Sequence, residues 1–192
     1  MEAAAIYDFL ADLLRYPGED YPQRTARCAQ ALAAKERNAA SLLTEFSLRT
    51  GELTTEGLQE LFTQTFDLDP PCSLEVGWHL FGENYERGAF LVRMRQQMRR
   101  FALEESSELP DHLTHVLGVL GRMEPEEAGE FAAACVFPAL DKMRAGLAGK
   151  NNPFENVLEA IVRLLESRYT RLAPENASDT PVLRVLETRE LL

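Results

Sequence analysis

Cys72, His79, His112 and His115 can ligate a metal or move a proton near neutral pH, and the three histidines among them are the only ones in the chain. Their spacing argues against both uses. A pre-formed zinc site draws on short paired spacings such as CxxC, and none occurs here, so no metal is expected. His112 and His115 stand three apart on a helical stretch, which would let them share a ligand, with His112 at the edge of the apolar stripe and His115 mostly outside it. The glycine patterns that cradle phosphates, GxGxxG and GxxxxGK[ST], are absent, as are the nucleophile elbow GxSxG and the metal helix HExxH. The inventory is too thin for an enzyme, and no cofactor is expected.

Two features point to binding instead. On the helical stretch from Glu83 to Leu103, Arg87 projects onto the stripe that holds Met94 and Met98, placing a permanent charge at the end of an apolar face. A carboxylate must meet it, either as a structural ion pair with Asp67, Glu108 or Asp111, or as part of a ligand-facing groove. Just before this stretch, Trp78, His79 and Phe81 lie between Gly77 and Gly82. Aromatic and small residues together either line a peptide groove or simply fill core.

The elements that position these residues read as helices throughout. Ile6, Phe9, Leu10, Leu13 and Leu14 recur at helical spacing before Pro17-Gly18 ends the run. Helices follow near 22–35 and 38–49, and another carries Leu58, Leu61, Phe62 and Phe66 up to the break at Asp69-Pro70-Pro71. The Glu83–Leu103 helix carries Phe90, Leu91, Met94, Met98, Phe101 and Ala102 on one stripe. Pro110 suits the first turn of the next helix, with Leu113, Val116, Leu117 and Leu120 facing inward. Residues 126–147 are helical around Pro138, which should kink or split them. Asn152, Pro153 and Glu155 form a capping-box start for a last helix carrying Phe154, Val157, Leu158, Ile161, Val162 and Leu165. Alternating strand patterns are absent, so the fold class is all-α, a single helical bundle over residues 1–170 with a polar, flexible tail at 171–192.

With 20 basic and 31 acidic side chains the chain carries a formal charge of −11, which disfavours nucleic acid and bare anionic membrane as partners. Such an acidic surface would steer a basic peptide toward it, or serve solubility alone. Three scattered cysteines fit a reducing compartment, and the start of the chain lacks a signal peptide's basic region, so a cytoplasmic protein is expected.

Two blocks of residues carry a family resemblance. Phe66-Asp67, Ser73-Leu74, His79, Gly82 and Arg87-Gly88, followed by Glu108-Leu109-Pro110-Asp111-His112-Leu113, resemble in order and spacing the signature of the NarJ branch of the TorD/DmsD superfamily. The resemblance extends from about residue 5 to 170. It implies a TorD-like helical chaperone that binds the N-terminal leader-like segment of a molybdoenzyme catalytic subunit and assists insertion of that subunit's molybdenum cofactor. It points to Asp111 and His112 as recognition positions, with Trp78, His79, Phe81 and Arg87 as groove candidates. Phe66, Asp67, Ser73, Gly82, Gly88, Glu108 and Pro110 complete the motif. The implied oligomeric state is a monomer or a helix-exchanged dimer. Two other readings are a nucleotide-binding accessory enzyme, against which the missing phosphate loops speak, and a permanent structural subunit of the reductase.

Overall fold

The computed structural model describes residues 3–171; the tail expected to be flexible falls, but for Arg171, outside the described residues. Ten α-helices and no strands are present among these residues. The apolar spacing of the first segment produces α1 (Ala3–Asp12), whose last turn tightens through amide bonds from Leu13 to Leu10 and Leu14 to Ala11. Both leucines are buried although they lie past the helix end.

A short connection joins α2 (Tyr21–Ala33) to α3 (Arg37–Thr50), and the two pack together. Thr54 caps α4 (Thr55–Phe62) by accepting the Gly57 amide, and a wider π-type turn, Thr63–Asp67, extends it. After the prolines, α5 (Val76–Phe81) forms a short helix that hydrophobic periodicity does not announce. Gly82 ends it at φ +59°, a left-handed conformation that favours glycine. The central helix, α6 (Tyr85–Arg100), is shorter at both ends than its apolar stripe suggests, and Ala102 turns away at φ +52°.

Pro110 does not open the next helix, which begins two residues after Asp111. His112 is the cap and α7 runs Leu113–Leu120. The reason is tertiary: the Val76 amide donates to the Asp111 carbonyl at 2.9 Å and the Leu113 amide to the Leu74 carbonyl at 2.8 Å, which hold this stretch extended. Nor does α7 have an outside. Every one of its residues is buried, His115 included, because α1 and α6 both pack on it. The expectation that His115 faces outward therefore fails, since the stripe argument assumes one solvent face.

Pro138 splits its segment as expected. α8 (Pro125–Phe131) passes through a π-type turn, Ala132–Val136, into α9 (Phe137–Leu147), so the proline, which has no amide to donate, sits in a first turn. α10 (Phe154–Glu166) packs on α3 and α9, and Asn152 accepts the Phe154 amide at 2.9 Å. Phe46, Phe62 and Phe66 surround Phe154 with ring centroids 5.0–5.6 Å from it, joining α3, α4 and α10 in one aromatic core.

Candidate functional site

The motif residues gather where residues 73–76 run beside residues 111–113. Asp111 is fully buried, and the Arg87 Nε donates to its Oδ2 at 3.2 Å. Of the three carboxylates the sequence offers Arg87, the fold selects Asp111. Glycine at 77 makes this possible, because a Cβ there would stand 2.6 Å from Asp111 Oδ2 and 3.0 Å from the Phe90 ring. The Arg87 guanidinium lies 5.8 Å from the centre of the Trp78 ring.

Burial pushes the Asp111 carboxyl above its usual range, and Arg87 opposes that shift only in part. Burial also raises Glu75, which accepts a hydrogen bond from the Ser73 hydroxyl. His79 bonds the Ser73 carbonyl through Nε2 at 2.7 Å and is held below its usual range by burial. The Lys142 ammonium donates to the His79 carbonyl.

Two openings flank this ion pair. The first, about 350 Å³, is half enclosed. Leu14, Tyr16 and Phe62 give it apolar lining, and Arg15, Asp67, Glu108 and His112 add polar and charged groups of both signs. Exposed apolar side chains adjoin it, Tyr16 itself and Leu68 and Leu109, which neighbour Asp67 and Glu108 in sequence. The second, about 490 Å³ and more open, is lined by Pro70, Pro71, Trp78, His79, Phe81 and Lys142 among others. Phe81 is anchored there by Phe90 at 5.6 Å.

The sequence candidates therefore divide. Asp67, Glu108 and His112 meet at the first opening, while Trp78, His79, Phe81 and Gly82 meet at the second. Asp111 and His112, adjacent in the chain, point apart. One turns into the interior, whereas the other lines a cavity wall. Phe66 and Pro110 are buried, and Gly88 is exposed on α6. Tyr16 and Phe62 also line the first cavity, although sequence reasoning assigned them no site role. An aromatic directly after an apolar stripe and before Pro17 is the signal that was available. Cys72, His79 and His112 do not converge, and among the described residues no group of three or more His, Cys, Asp or Glu side chains is placed to hold a metal ion.

His112 has a second duty. Its Nδ1 accepts the Thr114 amide at 3.3 Å and so caps α7, which requires the ring to be neutral at that nitrogen. Burial first, then His115 and Arg15, lower its pKa to about 4. A lowered histidine pKa stabilises the fold above the unfolded value of 6.5, and the contribution is lost as pH falls toward 4. About 1.4 kcal/mol should be gone by roughly pH 5.5. Urea unfolding of the protein and of His112→Gln between neutral pH and pH 5.5 checks this. The variant's stability should fall less, and equal slopes would mean that His112 does not carry the effect.

Helices without strands among the described residues, around one core, define the class as an all-helical, single-domain bundle. The model of the nitrate reductase delta subunit family matches residues 29–170, and the chain belongs to that family. The nitrate reductase molybdenum cofactor assembly chaperone NarJ of Escherichia coli K12 is 26% identical over 179 residues, covering 88% of this chain and 75% of the relative. The NarJ of Escherichia coli O157:H7 matches to the same extent. The family expected from the two motif blocks is thereby borne out. No helix among the described residues is long and apolar enough to cross a membrane.

Proposed function

We propose that this chain is a cytoplasmic maturation chaperone, not an enzyme, for a molybdoenzyme of the nitrate reductase kind. It binds the N-terminal segment of the catalytic subunit and keeps that subunit open while its molybdenum cofactor is inserted. The cofactor belongs to the client throughout, and the chaperone then departs.

The observation that carries this reading is the half-enclosed cavity of about 350 Å³ whose lining sets apolar Leu14, Tyr16 and Phe62 beside the carboxylates of Asp67 and Glu108, with Arg15 among them. An amphipathic peptide segment is matched to such a site: its apolar side chains cover Leu14, Tyr16 and Phe62, and a cation at its edge meets Asp67 or Glu108. With Asp111 occupied by Arg87 inside the protein, these exposed carboxylates, rather than Asp111, take the role of cation acceptor. The net charge of −11 steers a basic segment toward the site at low salt.

Calorimetric titration tests this with a synthetic peptide of the N-terminus of a nitrate reductase catalytic subunit, and with a scrambled control. The native peptide should bind selectively. Tyr16→Ala combined with Glu108→Gln should weaken binding about tenfold or more, roughly 1.4 kcal/mol, at an unchanged melting temperature. Equal binding of native and scrambled peptides would sink the proposal.

A further inference from the structure

Phe62 and Asp67 stand five apart in one segment, yet they line the half-enclosed cavity together. On an unbroken α-helix the fifth residue lies about 140° round the axis from the first, so Asp67 would point away from Phe62. The π-type turn Thr63–Asp67 removes that separation. It closes with the Leu68 amide on the Thr63 carbonyl at 3.0 Å, five residues back, and the wider turn returns Asp67 toward the line of Phe62. The aromatic core does not require this geometry. Phe62 and Phe66, four apart, would share a face of an ordinary α-helix against Phe154.

The turn is held from outside its own helix. The Thr65 hydroxyl, in the middle of it, donates to the Leu61 carbonyl at 2.5 Å and accepts from the Asn152 side-chain amide at 2.7 Å. Asn152 places its oxygen on the Phe154 amide, so both ends of its side chain are committed. Arg49 on α3 fixes the neighbouring backbone by donating to the Asn151 carbonyl at 2.8 Å. The carboxylate at the end of the turn is left without a counter-ion. Asp69, two positions on, has Lys150 at 2.5 Å, whereas Asp67 is exposed and no cation among the described residues pairs with it. Glu108, the cavity's other carboxylate, is carried on an exposed stretch, residues 104–109, and has the longer side chain to immobilise.

We propose that Asp67 is the group that takes the client segment's cation, and that Thr65 and Asn152 are positioning residues that set this specificity by holding the π-type turn. The inference rests on the chaperone reading and narrows it to one carboxylate. A carboxylate fixed before binding loses little freedom on pairing, and a fixed position selects for where a charge lies in the client as well as for its sign. The preferred segment is therefore one whose lysine or arginine lies next to the apolar side chain that covers Phe62.

Calorimetric titration of the full chain tests this with the N-terminal peptide of a nitrate reductase catalytic subunit, its scrambled form, and the same peptide with lysines and arginines replaced by glutamine. Asp67→Asn should weaken binding of the native peptide about tenfold, and Glu108→Gln about threefold. The glutamine peptide should bind the parent and Asp67→Asn alike. Thr65→Val removes the hydroxyl at nearly constant volume and should weaken binding about fivefold in the parent, yet not further in the Asp67→Asn background. A residue that merely supports the fold would cost the same in both backgrounds. Asn152→Ser keeps an oxygen for the Phe154 amide, removes the donor to Thr65, and repeats the cycle where Thr65→Val folds poorly. Selective binding that survives Asp67→Asn, or a Thr65→Val loss that persists in the Asp67→Asn background, would overturn this inference and leave the chaperone reading standing. Equal binding of native and scrambled peptides would overturn both.

Discussion

Replacing Arg87 with methionine is expected to cost about 3 kcal/mol of stability at neutral pH, or roughly 9 °C in melting temperature for a chain of this size. Methionine keeps most of the apolar stem beside Trp78 and removes only the charge. What remains is a carboxylate with no solvent exposure, no counter-ion, and an Oδ1 that already lacks a hydrogen-bond partner. Arg87 itself is 22% exposed, so the loss comes from the stranded Asp111 rather than from the missing guanidinium.

Burial places the folded-state pKa of Asp111 above its unfolded value, so the fold favours the protonated acid. The destabilisation in Arg87→Met is therefore full above that folded pKa and recedes as pH falls through it. Asp111→Asn in the same background should restore most of the loss, because a neutral amide needs no counter-ion. Thermal melts of the two single variants and the double variant, followed by the fluorescence of the single tryptophan beside the pair, check this. An Arg87→Met variant that melts within about a degree of the parent would mean that the carboxyl is already protonated at neutral pH and the ion pair contributes little.

Phe154→Ala should cost about 4 kcal/mol, the range expected when a buried aromatic is removed and its neighbours relax only in part. Phe154 has no exposed surface, and its ring is shared by Phe46, Phe62 and Phe66. The loss reaches function through Phe62, which packs on Phe154 and also lines the half-enclosed cavity beneath Tyr16, 5.7 Å from it. A variant that still folds at low temperature should therefore bind the client peptide less tightly than Phe154→Leu, which keeps most of the volume and should lose under about 1.5 kcal/mol. Chemical unfolding with parallel peptide titration separates the two effects. Equal stability of the alanine and leucine variants would show that the aromatic cluster is not a shared support.

The α-helical class was legible because helical periodicity and capping chemistry are local. The stripes of α1 and α10, the stop at Pro17-Gly18, the division at Pro138 and the Asn152 amide contact all depend on residues within a few positions of one another. The motif blocks likewise identified the family, since residue types at fixed spacing survive as a string.

What the chain could not announce depends on contacts between distant segments. Pro110 reads as a helix opener, yet the pairing of residues 74–76 with 111–113 holds that stretch extended and delays α7. His115 reads as outward-facing, yet two helices cover α7 from different sides. Arg87 needed a carboxylate, and three were in reach by sequence; only the approach of α5 through Gly77 brings Asp111 to it and withdraws that side chain from solvent. Local spacing therefore determined the helices and the family. Tertiary packing, in which desolvation and close approach act between residues far apart in the chain, decided which motif residues line an opening and which are withdrawn into the interior.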